Sequence, residues 1–431
     1  PAQRDPAQRD PAQRDPAQRD PAQRDLAQRD LDIVVFGATG FVGRLVAERL
    51  ATRDIGGVRV ALAGRSADRL EAVRRALGVR WPLILADSRH PASLETLARS
   101  ARVVVSTVGP YARQGLPLVR ACAEAGTRYA DLTGEALFVR ESIDEVHELA
   151  ARTGAKIVHS CGFDSVPSDL GVQMLADRVR ADGEGTLAEA TLLVVSIKGG
   201  VSGGTIDSMR SQIDDMRADP TLARSLRDPY LLSPDRAAEP DLGRQPDGFL
   251  PQRLDDGTWV APFAMAPFNS RIVRRSNALL HYAYGRELRY REFVRTGTSP
   301  LAPAAASALA VATGALAVAL RTPIVRPLLD LILPAPGEGP SENVRQNGHF
   351  RLEIRGVTSS GARYVATVAA HGDPGSGATA VMLGESACCL ASDDLPERGG
   401  VLTPATAMNG SLTERLRRNG FTFEVRRETG Q

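Results

Sequence analysis

Residues 37–43 read Gly37-Ala-Thr39-Gly40-Phe41-Val-Gly43, directly after the apolar run LDIVVF and directly before RLVAERLATR. Glycines at this spacing between a strand and a helix can hold a pyrophosphate. Gly37 permits the tight turn, Gly40 lets backbone N–H groups come close to phosphate, and Gly43 lets the helix pack close to the strand. The phosphates would sit on the positive end of the helix, flanked by Thr39 and Phe41. A second strand, 58–63, ends in Gly64-Arg65-Ser66, where an NAD-specific fold usually carries an acidic residue for the ribose 2′-hydroxyl. A guanidinium and a hydroxyl suit a 2′-phosphate instead, so the expected cofactor is NADP(H). A solvated arginine at a strand end is the plainer reading of Arg65. Asp87, after the run 83–86, would accept from the adenine amino group or cap a helix. The run 102–106 leads into Ser106-Thr107-Val108-Gly109, expected to line the ribose and nicotinamide, because ligands sit outside the carboxyl ends of parallel strands.

These positions require an alternating strand–helix chain that folds into a doubly wound parallel sheet with right-handed crossovers. The expected class is α/β: a Rossmann-type domain over 31–186, an inserted α+β second domain over 187–377, and C-terminal helices over 378–431 that return to the first domain. Strand patterns near 348–355 and 363–370 suit antiparallel neighbours in the second domain. Residues 1–25 are five copies of PAQRD and 26–30 repeat it as LAQRD. With Pro every fifth residue and little to bury, 1–30 reads as a disordered tail, dispensable for stability. Residues 301–320 form a twenty-residue uncharged stretch, ten of them Ala, with arginines on both sides and a second apolar run to 333. Three readings stand: a buried or homodimer-interface helix, a helix that touches membrane or an acyl chain, and a true span.

Composition narrows the class. A net charge of +2, from 53 basic and 51 acidic residues, supplies no field for nucleic acid. Four cysteines, two of them adjacent and none in CxxC, point to a reducing cytoplasm, and no metal site is expected. HExxH, GxSxG and Walker motifs are missing, and neither Tyr111 nor Tyr129 has a Lys four residues on, which removes the Tyr/Lys pair of short-chain dehydrogenases.

The string GATGFVG, then GRS, STVGPYARQG, YADLTGE (129–135) and CGFDSVPSD (161–169) resembles the saccharopine dehydrogenase-like oxidoreductases, most closely their trans-acting enoyl reductase branch. Weaker echoes are Ser202-Gly-Gly204-Thr205, Pro336-Gly-Glu-Gly-Pro340-Ser341 and Gly399-Gly-Val-Leu-Thr403-Pro404. The likeness covers 31–431. It implies an NADPH-dependent reductase of an enoyl intermediate carried by a separate polyketide synthase, made into lipid, in the cytoplasm or peripheral to a membrane. Such a reduction needs a donor for the developing enolate and an acid for the α-carbon. Candidates near strand ends are Tyr111, Asp131, Glu135, His159, Cys161, Asp164 and Ser165. Tyr111 and Asp164 are selected as catalytic; the plainer readings are a packing tyrosine for Tyr111 and a helix cap for Asp164 and Ser165. Two other functions stay open: a non-catalytic NADP-binding protein associated with lipid, and a saccharopine-type imine dehydrogenase.

Overall fold

The computed structural model describes residues 25–26, 28–53, 56–243, 250–322, 324–329 and 331–428. In chain order its strands are β1 (Leu31–Phe36), β2 (Val60–Gly64), β3 (Leu83–Leu85), β4 (Ala101–Ser106), β5 (Arg128–Asp131), β6 (Lys156–Val158), β7 (Leu187–Lys198), β8 (Gln252–Arg253), β9 (Trp259–Pro262), β10 (Arg289–Gly297), β11 (His349–Thr358), β12 (Arg363–His371), β13 (Gly400–Leu402) and β14 (Thr422–Arg427). The helices that matter below are α1 (Phe41–Thr52), α2 (Ala67–Ala76), α3 (Pro91–Ser100), α4 (Tyr111–Gln114), α5 (Leu116–Glu124), α6 (Ala136–Thr153), α7 (Val166–Ala181), α8 (Gly203–Ala218), α9 (Ala266–Leu279), α10 (Ala302–Arg321), α11 (Thr379–Ser392) and α12 (Pro404–Arg418).

Near-continuous apolar runs such as LDIVVF and ARVVVS become strands covered on both faces, as a parallel sheet requires. The first sheet runs β13-β6-β5-β4-β1-β2-β3, with every neighbouring pair parallel. Strand order reverses between β1 and β4, which opens the crevice of a doubly wound sheet at the carboxyl ends of those two strands. The second sheet runs β14-β12-β11-β7-β10-β9-β8; only β7 and β10 are parallel, and β11 and β12 form the expected antiparallel pair. Helix α11 lies on β1, β4 and β5 and against α1, while α7 lies on the second sheet and meets α9 and α12. One apolar core therefore continues from Ile33 and Val105 through Met382 and Leu170 to Ile354 and Phe423.

The expectation that residues 378–431 return to the first sheet needs correction at its end. Strand β13 does join β6, but β14 crosses back and pairs with β12 over Ala369↔Thr422 to Tyr364↔Arg427. Alternation in TFEVRR marks a strand; it does not say which sheet edge accepts it.

The tail also needs correction. Residues 1–24 and 27 lie outside the described residues, but the last repeat packs on the fold. Leu26 and Arg29 are buried, and the Arg29 guanidinium donates to Ala98 O (3.0 Å), Ala101 O (2.6 Å), Ala125 O (2.5 Å) and Thr127 Oγ1 (2.5 Å). It closes the corner where α3 meets β4 and α5 meets β5. Arg29→Ala strands those acceptors, so a loss of about 2–3 kcal/mol is expected in denaturant unfolding; an unchanged midpoint would show the corner is held without it.

Helix α10 is not a core helix of this chain: only Ala302, Ala306 and Leu320 along it are buried.

Candidate functional site

The Gly-rich turn is built on two positions that admit no side chain. Gly37 has φ +89°, and a Cβ there would lie 2.7 Å from Thr107 Oγ1 and 2.8 Å from Val108 Cγ2. A Cβ at Gly43 would lie 2.1 Å from Gly37 O, so the close approach it serves is to the turn itself rather than to the strand. Gly40 is the N-cap of α1; no side chain caps that end, and no acidic residue sits in its first turn. The first N–H groups and the helix dipole are thus available to an anion. Thr39 and Phe41 stand half-buried on either side of Gly40. An uncapped helix start, a turn a Cβ would fill and a position at the switch point together fit a dinucleotide.

The remaining cofactor candidates divide. Arg65 is exposed at the end of β2 and makes no ion pair among the described residues, so its fork is free for a phosphate. The Ser66 hydroxyl instead accepts from Arg69 N (3.4 Å) as the cap of α2. Asp87 is occupied: Arg89 donates to it from its backbone N (3.0 Å), Nε (3.2 Å) and Nη2 (2.9 Å), which holds the carboxyl well below its usual pKa range. Its carboxylate is shared with Arg89, and it does not cap α3, whose N-cap is His90. Thr107 Oγ1 bonds to Phe36 O (3.3 Å) and Gly37 O (3.2 Å), and Ser106 Oγ accepts from Val108 N (3.4 Å). The Thr107 hydroxyl fastens the end of β4 to the turn, leaving half-buried Val108 and exposed Gly109 to face the crevice.

A wall that sequence did not foresee comes from the second unit. Gly339 backs onto Phe41 so closely that a Cβ would lie 2.2 Å from the ring, and the Arg345 guanidinium stands 5.7 Å from the ring centroid. The only sequence signal was the Gly/Pro-rich run 336–341, roughly three hundred residues away from the turn it covers.

Among the chemical candidates, Tyr111 is corrected. It is buried, its OH donates to Ser106 O (3.1 Å) and accepts from Leu132 N (3.3 Å), and its ring stacks on Phe138 (5.7 Å). Burial pushes its pKa well above the ordinary value. A hydroxyl with both partners inside the protein fixes the strand ends and does not reach substrate. Glu135 accepts the N–H groups of Tyr111 (3.0 Å) and Ala112 (2.8 Å), the start of α4, and the Ser208 hydroxyl of α8 (2.7 Å). Asp131 and His159 form a closed network: His159 Nδ1 meets Asp131 Oδ2 (2.7 Å), His159 Nε2 meets Ser142 Oγ (2.9 Å), and Asp131 also accepts from Tyr129 OH (3.1 Å), Thr133 N (3.1 Å) and Ser160 N (3.0 Å). The Cys161 thiol is fully buried and raised by desolvation.

Asp164 differs from all of these. It is half-buried after β6, on the carboxyl edge of the first sheet, and makes no hydrogen bond or ion pair among the described residues. Desolvation pushes its carboxyl up to about 6. It lies beside Gly134, where a Cβ would sit 3.7 Å from Asp164 Oδ2; the Met265 methyl borders the same glycine, 3.6 Å from that position. The cap role is not taken: Ser165 is the N-cap of α7, makes no side-chain cap, and reaches Asn269 Oδ1 (3.4 Å) instead.

Behind Asp164 lies a buried polar layer absent from the sequence reading. Asn269 Nδ2 donates to Glu292 Oε2 (2.9 Å), and Tyr290 OH donates to Glu292 Oε1 (2.7 Å). Asp169 accepts from Ser276 Oγ (2.5 Å) and Ala405 N (2.8 Å). Burial raises Glu292 and Asp169 to about 7 each. These contacts join α7, α9, β10 and α12 into one support. A separate small cleft, lined by Tyr230, Glu239, Arg274, Arg286 and Tyr290, contains none of the residues in the crevice.

A switch-point crevice with this turn and a free arginine defines an NADP-dependent oxidoreductase, and comparison with known proteins agrees. The family model "Saccharopine dehydrogenase NADP binding domain" matches residues 33–158. The chain is 51% identical over 411 residues to Rv2449c of Mycobacterium tuberculosis (strain ATCC 25618 / H37Rv), covering 92% of this chain and 97% of that protein. It is 47% identical over 413 residues to the trans-acting enoyl reductase of Mycobacterium ulcerans (strain Agy99), covering 92% and 98%. Apo saccharopine dehydrogenase (L-Glu forming) from Saccharomyces cerevisiae superposes with a TM-score of 0.52 at 13% identity, over 93% of this chain and 100% of that one, a likeness of fold. The protein belongs to the saccharopine dehydrogenase-like family of oxidoreductases, in its trans-acting enoyl reductase branch.

Proposed function

We propose that the protein reduces the carbon–carbon double bond of an enoyl thioester presented by the acyl carrier of a separate polyketide synthase, on the way to a lipid. The observation that carries the reading is Asp164, a half-buried carboxyl at the carboxyl edge of the sheet with no hydrogen-bond or ion-pair partner among the described residues. Bound NADPH would supply hydride to the β-carbon. In this reading the Gly37–Gly43 turn seats the pyrophosphate, Arg65 takes the 2′-phosphate, and Val108 and Gly109 border the nicotinamide side. Asp164, in its protonated form, gives its proton to the α-carbon as the enolate collapses. Its surroundings favour an acyl substrate over an amino acid. Burial alone raises its carboxyl, and among the described residues it makes no ion pair with a guanidinium that could also hold an amino-acid carboxylate.

The test is NADPH oxidation with a 2-enoyl chain on an acyl carrier, the product read by mass spectrometry as a gain of two hydrogens. Turnover only with an amine and an oxo acid would replace this reading with imine chemistry; binding without turnover of either would make the protein a nucleotide-binding module. Cofactor choice is tested separately. Arg65→Ala is expected to weaken NADPH binding tenfold or more, about 1.5–3 kcal/mol for a charge-assisted contact, and to leave NADH unchanged. Equal losses for both cofactors in titration calorimetry would make Arg65 structural.

A further inference from the structure

The exposed apolar surface of α10 and of the residues after it is not used by the crevice. Along α10 no charge occurs before Arg321, and Val311 and Val318 are 71% and 62% exposed. Beyond the helix, Ile324 is 90% and Leu331 79% exposed. A surface helix of a water-soluble protein carries a polar stripe opposite its buried face. Here the side turned away from the protein carries Ala304, Ala308, Val311, Ala315 and Val318. The polar side chains on the helix are already satisfied by it: Ser307 Oγ donates to Pro303 O (2.9 Å) and Thr313 Oγ1 to Leu309 O (2.9 Å), and Thr322 Oγ1 just past its end donates to Val318 O (2.8 Å). None of these hydroxyls needs water, which is the arrangement hydrocarbon demands.

We propose that α10 and the apolar residues following it dock this protein onto an anionic lipid bilayer, with the helix lying in the membrane interface. Its length alone would permit a crossing, but both ends are tied to the same folded body. At the start, Thr296 Oγ1 of β10 donates to Ala302 O (3.2 Å). At the end, Arg326 holds Leu320 O (2.9 Å) and pairs with Asp214 of α8 (2.6 and 3.1 Å). A helix pinned at both ends to one surface presents a side, not a tip. The occupant is lipid rather than a second copy of the chain because the outward face is alanine and valine with its hydroxyl protons already bonded within the helix, and the exposed Arg321 at its end suits an anionic headgroup. Protein interfaces are anchored by aromatics and carry a hydrogen bond for roughly every 100–200 Å². Arg321, exposed at the end of the helix, has no ion pair among the described residues, which leaves it for lipid phosphates.

The experiment is flotation of the full chain with vesicles of phosphatidylcholine alone and with phosphatidylglycerol added, beside light scattering without lipid. Binding is expected on both, tighter on the anionic vesicles. Val311→Asp and Val318→Asp are each expected to lower it at least about tenfold. Arg321→Gln should lower it about fivefold on anionic vesicles and not on neutral ones. Because all three side chains are solvent-exposed, melting temperature and NADPH affinity should not move. Absence of flotation, or flotation that survives both aspartates, overturns the proposal. So does a lipid-free dimer that either aspartate converts to a monomer, since the face would then belong to a second copy.

Discussion

Replacing Asp164 by asparagine is expected to lower kcat for enoyl reduction about 10²–10³-fold while NADPH affinity stays the same. The amide keeps the shape and loses the proton, and positioned acid catalysis is typically worth about 10²–10⁴. In the unaltered enzyme kcat should fall as pH rises through the Asp164 value of about 6, and in the variant that dependence should vanish. The stability of the unaltered enzyme should fall in the same pH direction. The folded pKa is raised from 3.8, so the folded state binds the proton more tightly than the unfolded chain. Stability from that proton is full below the unfolded value and is lost as pH climbs toward the folded one. Near pH 8 the ionised, desolvated carboxylate costs the fold about 1–2 kcal/mol, the full shift being discounted for partial exposure. Asn carries no such cost. Asp164→Asn should therefore melt higher near pH 8 and equally near pH 3. A variant within twofold of normal kcat would remove Asp164 from the chemistry.

The contrast between Asp164 and Tyr111 shows where sequence was readable. The Gly37–Gly43 turn was legible because its whole mechanism is local: apolar strand, glycines at fixed offsets, helix. The position of Arg65 was legible for the same reason, since the end of β2 is a defined place and the residue stands exposed there. Tyr111 and Asp164 both follow strand ends, and nothing in spacing tells which is enclosed. Tyr111 is enclosed because Ser106 O at the end of β4 and Leu132 N just after β5 converge on its hydroxyl. Asn269, Glu292 and Arg345 were invisible because their role comes from elements brought together by the second sheet. Arg29 was misread because its repeat predicts a solvated residue, whereas four acceptors at one corner of the sheet capture it. The apolar composition of α10 was plain, but its exposure was not: the same twenty residues would suit a core helix.

Gly40→Val is expected to weaken NADPH binding at least about 100-fold and leave the fold intact. Gly40 has φ −76° and ψ 167°, a conformation open to valine, and a Cβ there would meet only Gly37 O at 3.3 Å. The backbone can accept that with a shift of a few tenths of an ångström. The branched methyls, however, would extend over the uncapped first turn of α1, where the pyrophosphate must come within hydrogen-bonding distance of backbone N–H groups. Losing two such charge-assisted bonds at about 1.5–3 kcal/mol each accounts for the factor. Gly43→Val supplies the opposing case. Its Cβ would fall 2.1 Å from Gly37 O, inside backbone contact, so that variant should lose the melting transition itself. Calorimetric titration beside circular dichroism separates the two positions. Normal NADPH affinity in a folded Gly40→Val protein would move the phosphates off this turn, and with them the orientation that brings the nicotinamide toward Asp164.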